Sequence, residues 1–333
     1  MVPTMGVVSV IVFGLVQLPP GDFAEIRVQR LELEGTASSA ELAAELRRNF
    51  RLDLPMWQRY AHWMGFTWFT SFQPSEEGLL QGNLGLSMEH EKPSREIIGD
   101  RIVVTIAVSV GAVLLAWAFA LPTGIYSAVR QYSAGDYTLT LLGFIGMSVP
   151  SFLAALVVMY GAKRWFGLNL AGLFSPEYAA MPDWSWDKLV DLVKHIWLPV
   201  LVLGFGSAAG MIRVMRANLL DELRKPYVTT ARAKGVRPLR LLLKYPVRLA
   251  LNPFVSTVGG LFPHLVSGGA IVAMVLSLPM LGPTLLDALV AEDVYLAGSM
   301  LMVLSLLGVI GTLLSDLLLL WLDPRIRLGA SNA

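Results

Sequence analysis

The 333-residue chain is 55% hydrophobic and only 15% charged, with a mean hydropathy of +0.59, far from the roughly 25% charge of soluble domains. A net charge of +1 removes any global electrostatic attraction to nucleic acid, and the absence of cysteine excludes disulfides, thiolate metal sites and a cysteine nucleophile. Four histidines, at 62, 90, 195 and 264, are too scattered to read as a metal cluster.

Uncharged runs fall at 1–21, 102–129, 137–162, 195–212, 249–286 and 294–315. Each is near or above the roughly 18–20 residues that cross a bilayer, and in lipid a helix satisfies its own backbone. One such run fits a buried helix of a large soluble protein. Six in one chain predict an all-α membrane protein with six transmembrane helices.

The first run carries Pro3, has no basic residue before Arg27 and ends at Leu18-Pro19-Pro20-Gly21-Asp22. Neither the positive region nor the cleavage site of a secretory signal is visible. The missing basic flank points to a natural start slightly upstream. Residues 19–100 are a polar excursion with thirteen acids and eight Lys/Arg. Ser38 and Glu41 read as a capping box, opening a helix with Leu42, Leu46 and Phe50 on one face. Pro55 starts another, carrying Trp57, Tyr60, Met64 and Trp68. Aromatics at this density suit either a helix at the membrane–water boundary or a small packed cap.

Helix 2 is expected at 101–127 and helix 3 at 137–162, where Pro150 should kink the chain. A second outer loop at 163–194 offers Trp165, Trp184 and Trp186 as interface anchors. Helix 4, at 195–216, holds Gly206 and Gly210 at the spacing that permits close helix packing, a pattern also common by chance. Between Arg213 and Arg248 lie ten Lys/Arg against only Asp221 and Glu222. That contrast places this loop inside, with both chain ends inside and residues 19–100 outside.

Pro226 suits the first turn of a helix over Tyr227–Lys234, and Gly235 suits the left-handed position just past its end. Val228, Ala231 and Gly235 form the expected buried stripe, with Arg232 and Lys234 flanking it. By spacing alone the segment fits a solvated loop as well as a docking helix. Helix 5 follows at 253–277 and helix 6 at 296–320. Asp316, about two turns from the inner end, is expected to pair structurally with Arg213 or Arg216 rather than relay protons.

The run YVTTARAKG, Tyr227–Gly235, resembles the EAA loop of membrane permeases in binding-protein-dependent ABC importers, in the wording of the peptide/nickel branch. Gly235 takes the motif's Gly and Ala231 its second Ala. Thr229 and Thr230 stand where the general motif has Glu and the first Ala, so no carboxylate contact carries over. The Pro20-Gly21-Asp22 turn, GMSVPSF at 146–152, SLPMLGPT with Met280 in place of the usual Gly, and LDPRIR at 322–327 are similar to the same branch. FTWFTSFQPSEE at 66–77 looks like an insertion relative to it.

The resemblance implies the type I permease fold: transmembrane helix 1 at 1–18, an extracytoplasmic segment at 19–100, and a core at 101–333 with helices 2–6 and a cytoplasmic coupling loop at 217–250. It implies coupling to an ATPase through Tyr227, Val228, Thr229, Ala231, Arg232, Ala233, Lys234 and Gly235, and a translocation path past Ser148, Pro150, Ser151 and Phe152. Partners implied are a second homologous permease, two cytoplasmic ATPase subunits holding ATP and Mg, an extracytoplasmic substrate-binding protein and the lipid bilayer of a bacterial inner membrane. No cofactor, metal or catalytic group is expected on this chain, which has no GxxxxGK[ST] run. Peptides are the first expected cargo, since His90, His195 and His264 lack metal-ligand spacing; oligosaccharides or nickel are the alternatives. An intramembrane enzyme would need paired carboxylates, a Ser/His or Ser/Lys couple or HExxH. An ion-coupled transporter would need several intramembrane charges or internal repeats. The spans offer only Asp316, His195 and His264.

Overall fold

The computed structural model describes residues 2–33, 40–179, 181 and 185–322, and the regular elements among them are helical apart from one isolated bridge, Leu86 to Pro93. Helices α1 (Val2–Val16), α2 (Phe23–Leu33), α3 (Ala40–Asn49), α4 (Met56–Met64) and α5 (Trp68–Ser71) lead into the long α6 (Ser94–Val129). Then come α7 (Ala134–Ser148), α8 (Ser151–Phe166), α9 (Pro176–Ala179), α10 (Trp186–Leu223) and four short helices: α11 (Pro226–Ala233), α12 (Pro238–Lys244), α13 (Pro246–Ala250) and α14 (Asn252–Ser256). The chain continues with α15 (Leu261–Val275), α16 (Leu281–Val290) and α17 (Val294–Leu322). Ser38 of the expected capping box, Trp184 and the LDPRIR ending beyond Leu322 lie outside the described residues.

Among the described residues α6, α10 and α17 are each long and apolar enough to cross a membrane, and α7 with α8 makes a fourth candidate, bent by 95°. The expected kink at Pro150 is thus a full break. Val149 (ψ 121°) and Pro150 (ψ 132°) are both extended, because proline lacks the N–H and pushes its predecessor out of helical space. Helix 1 appears as α1, whose 15 residues extend roughly 22 Å at 1.5 Å per residue. Helix 5 is divided among α14, a 3-10 turn at Thr257–Gly260, and α15. There a Cβ on Gly311 of α17 would lie 3.1 Å from the Val258 oxygen, and Ser315 donates to the Val255 carbonyl at 2.9 Å. Glycine on both sides brings the backbones together, and a serine satisfies one carbonyl near the break. In the expected outer loop, α8 runs on to Phe166 and α10 starts at Trp186, leaving Trp165 and Trp186 both 77% exposed.

Residues 1–104 and 279–307 form one compact unit. Its α4 is partly packed cap and partly open surface: Trp63 is buried against Gly298 and Ser299 of α17, whereas Trp57 is 69% exposed. Asp293 is fully buried and caps α17, accepting from the Leu296 N–H at 3.0 Å and the Ser87 hydroxyl at 2.6 Å.

Residues 105–278 and 308–333 form the second unit. Here α6 and α10 approach closely at glycines. A Cβ on Gly204 would lie 2.8 Å from Leu115 and 2.9 Å from the Ala112 oxygen, and one on Gly124 only 2.6 Å from the Met215 Cβ. The Gly206/Gly210 pair is not this contact, because Gly210 faces nothing within 4 Å and Gly206 meets Ser151 only at 4.0 Å. Glycine spacing identifies a possible groove, but helix rotation decides which glycine faces the neighbour.

Candidate functional site

The basic segment after α10 is built from proline-started short helices. Pro226 and Pro238 each occupy the first turn of theirs, where the missing N–H costs nothing. Gly235 adopts φ 75°, its N–H donating to the Arg232 carbonyl at 3.0 Å while Val236 N–H reaches the Ala231 carbonyl at 3.3 Å. This pair of bonds is a Schellman ending, which needs the left-handed residue. Tyr227 donates to Glu222 at 2.6 Å, fastening the start of α11 to the last turn of α10.

Val228 is 1% exposed and Ala231 half-buried, while Thr229, Arg232, Ala233, Lys234 and Gly235 are exposed. The expected stripe therefore ends at Ala231. Gly235 leaves it because its left-handed backbone turns the chain off the helical face, and a Cβ there would meet nothing within 4 Å.

Behind this exposed surface the segment is anchored. Helix α11 packs on α12, α12 on α13, and α13 on α10. Val247, Ala250 and Phe254 share one apolar core with Met215, Leu219, Ala120 and Ala128. Arg248 donates to the Leu322 and Trp321 carbonyls at 2.7 and 3.1 Å, closing the end of α17 where helix carbonyls lack partners. Arg216 makes a bidentate pair with Asp136 at 2.9 and 2.8 Å, tying α10 to the first turn of α7. A cavity of about 550 Å³ opens beside α11, lined by Tyr227, Ala231, Lys234, Lys244 and Arg248 among others. Packing thereby connects α11 through α12 and α13 to α10, to α6 through the shared core, and to the end of α17 through Arg248.

The Asp136 pairing corrects an expectation. Arg216 is engaged there, and Arg213 lies over the Phe144 ring at 4.8 Å with a contact to Met147 Sδ at 3.2 Å. Asp316 is exposed on α17, with no ion pair among the described residues. Sequence reasoning missed Asp136 and Arg248. Ser133 three residues before Asp136 was the usable signal, since its hydroxyl accepts the Asp136 N–H and sets the helix start.

At the α7–α8 break a cavity of about 330 Å³ is lined by Pro150 and Ser151 together with Gly206, Ser207, Gly268 and Gly269. Among the described residues no charged side chain lines it. Of the expected path residues, Ser148 and Phe152 are not in this lining, and the Ser148 hydroxyl is turned back to the Phe144 carbonyl at 2.8 Å. Among the described residues no cluster of three or more His, Asp or Glu is placed to hold a metal ion. His195 is a buried structural histidine, its Nδ1 2.8 Å from the Asp191 carbonyl.

Compared with known proteins, residues 120–328 match the model of the binding-protein-dependent transport system inner membrane component. The oligopeptide transport system permease protein AppB of Bacillus subtilis is 29% identical, with 98% of this chain and 96% of that protein covered. The dipeptide transport system permease protein DppB of Escherichia coli K12 is 30% identical over the same shares. The glutathione transport system permease protein GsiC of Escherichia coli O6:H1 is 29% identical, again with 98% and 96% covered.

Proposed function

The chain belongs to the family of inner membrane components of binding-protein-dependent transport systems, and from that premise we propose that it is the permease subunit of an ATP-driven importer of peptides. The observation that carries the cargo is the near full-length match to permeases named for oligopeptide, dipeptide and glutathione transport. The cavity at the α7–α8 break supports it, because its described lining mixes glycine and serine with Met147, Val149 and Leu203 and offers no fixed charge to favour one side chain. The spans are α1, α6, the bent α7–α8, α10, α14 with α15, and α17, with both ends inside and residues 19–100 outside. A second homologous permease completes the path, two ATPase subunits hold ATP and Mg, and a binding protein delivers cargo outside.

In proteoliposomes holding the permeases and ATPases, labelled dipeptide is expected to accumulate only with binding protein outside and ATP on the ATPase side. Uptake of nickel or an oligosaccharide in its place would overturn the peptide reading. Orientation has its own test, helped by the absence of native cysteine. Ser75→Cys should react with an impermeant maleimide added outside intact cells, and Thr229→Cys only after the membrane is opened. Reaction of both from one side contradicts the proposed topology.

Helix α11 is the coupling helix in this reading, with exposed Arg232 and Lys234 at its docking rim. Gly235→Val should keep membrane insertion, since open space surrounds the position. It forces a β-branched residue into φ 75°, a cost of about 1–2 kcal/mol, and so unwinds the helix end. Cargo-stimulated ATP hydrolysis is the measurement, and a several-fold loss at normal assembly is the expected outcome.

A further inference from the structure

Residues 66–77 belong to neither the coupling helix nor the cavity at the broken helix. From Met64 to Ser75 there is no Asp, Glu, Lys or Arg, yet the run holds Phe66, Trp68, Phe69 and Phe72. It leaves the fold at Gly65 and returns at Gly78, where the backbones touch. A Cβ on Gly78 would lie 2.3 Å from the Gly65 nitrogen, and Gly65 itself has φ 84°. The excursion is closed at its base, like other loops whose ends meet.

The ionised groups sit at that base, whereas the polar residues beyond it, Thr70, Ser71 and Gln73, are uncharged. Arg51 bonds Glu76 at 3.0 Å, His62 contacts Glu76 at 2.6 Å, and the Thr67 hydroxyl lies 3.1 Å from His62. Burial pushes the Glu76 carboxyl up, but the hydrogen bonds from Arg51 and Thr67 outweigh it and hold the group below the usual range. Beyond the base Phe66, Phe69 and Phe72 are 47%, 54% and 68% exposed, with Trp68 edge-on to both Phe69 and Phe72 at 5.4 and 5.1 Å. A loop tip in water is built from glycine, asparagine, aspartate and serine, and a contiguous exposed apolar patch marks contact with something apolar.

The patch continues into other surfaces that expose apolar residues. Phe66 is 6.2 Å from Tyr60, which stacks edge-on at 5.4 Å on Phe13 of α1, and the other face of α1 exposes Val7, Val10 and Ile11. Trp63, just before the excursion, bonds Ser299, about one and a half turns inside the start of candidate span α17. The excursion thus departs beside α17, within its first turns.

We propose that residues 66–77 form an aromatic finger lying in the outer leaflet, its tip among the upper acyl chains and its Arg51–Glu76–His62 base at the headgroups. Aromatic residues favour this boundary, where an apolar body is buried and a polar end stays wet. The occupant of the exposed patch is therefore lipid. The finger fixes the height of the excursion above the membrane, and the assignment rests on the proposed outward orientation of residues 19–100.

The test uses the complete transporter in nanodiscs of phosphatidylethanolamine and phosphatidylglycerol, with single nitroxide labels at Phe72→Cys, Phe69→Cys and, as an exposed control, Asn83→Cys. Collision with dissolved oxygen relative to a water-soluble nickel chelate should be several-fold higher at 72 and 69 than at 83. Equal ratios at all three positions would place the finger in water and overturn the proposal. Chelate exclusion appearing only when binding protein is added would also overturn it, making the patch a protein contact. Binding-protein-stimulated ATP hydrolysis in the same discs, and labelling of Asn83→Cys from outside cells, report on the transporter reading separately. Their loss with the oxygen preference intact would sink that reading and leave the finger in lipid.

Discussion

Asp136→Ala is expected to remove most folded permease, measured as detergent-solubilised protein that survives a thermal challenge and as recovered complex. Asp136 is 2% exposed, holds Arg216 by two bonds, and also accepts the Tyr132 N–H at 3.0 Å. Removing one partner leaves a guanidinium without its anion and a loop N–H without its acceptor. Breaking such a pair costs several kcal/mol when both groups are buried. Arg216 keeps 26% side-chain exposure, so water recovers part of the loss and about 3 kcal/mol is the expected cost. Asp136→Asn retains the shape and one acceptor and should be milder, while Asp136→Ala with Arg216→Leu should recover part of the loss. If Asp136→Ala matches wild type in thermal survival, the α7–α10 tie contributes nothing.

The second large effect lies at the α6–α10 contact. Gly124→Val would put a Cβ 2.6 Å from the Met215 Cβ and 3.0 Å from the Ile212 carbonyl. Backbone cannot move aside as a side-chain tip can, and Met215 is itself fully buried in the core shared with Leu219 and Phe254. Overpacking of this kind costs about 1–3 kcal/mol or more. Gly210→Val is the control, since nothing lies within 4 Å of its Cβ position. The thermal midpoint of the isolated subunit should fall by several degrees for Gly124→Val and stay near wild type for Gly210→Val. The reverse ranking would return the close contact to the Gly206/Gly210 pair.

These two sites mark where sequence reading stops. The apolar runs, a kink at Pro150 (though not the full break) and the Pro226-to-Gly235 helix were legible in advance. Each follows from properties of neighbouring residues: hydropathy over a window, the missing proline N–H, the glycine freedom to take positive φ. The placement of Val228 inside and Arg232 outside was also legible, because helical spacing relates positions a few residues apart. The buried stripe failed at Gly235, where spacing no longer applies once the backbone leaves helical angles.

What lay beyond the sequence is which distant residues meet. Sequence reasoning paired Asp316 with Arg213 or Arg216 and did not weigh Asp136. Only the rotation of α10 against α7 turns Arg216 toward Asp136. Gly206 and Gly210 carried the packing motif, yet Gly204 and Gly124 make the contact, because a rotation of one residue moves a helix face by about 100°. Arg248 closing the end of α17, and Gly268 and Gly269 meeting Pro150 at the cavity, join segments far apart in sequence. Local chemistry therefore determined that this chain is a set of apolar helices with a basic segment of short, proline-started helices. Helix rotation and relative depth decided the ion pair, the close glycine contact and the lining of the cavity, since none of these is a property of any one segment.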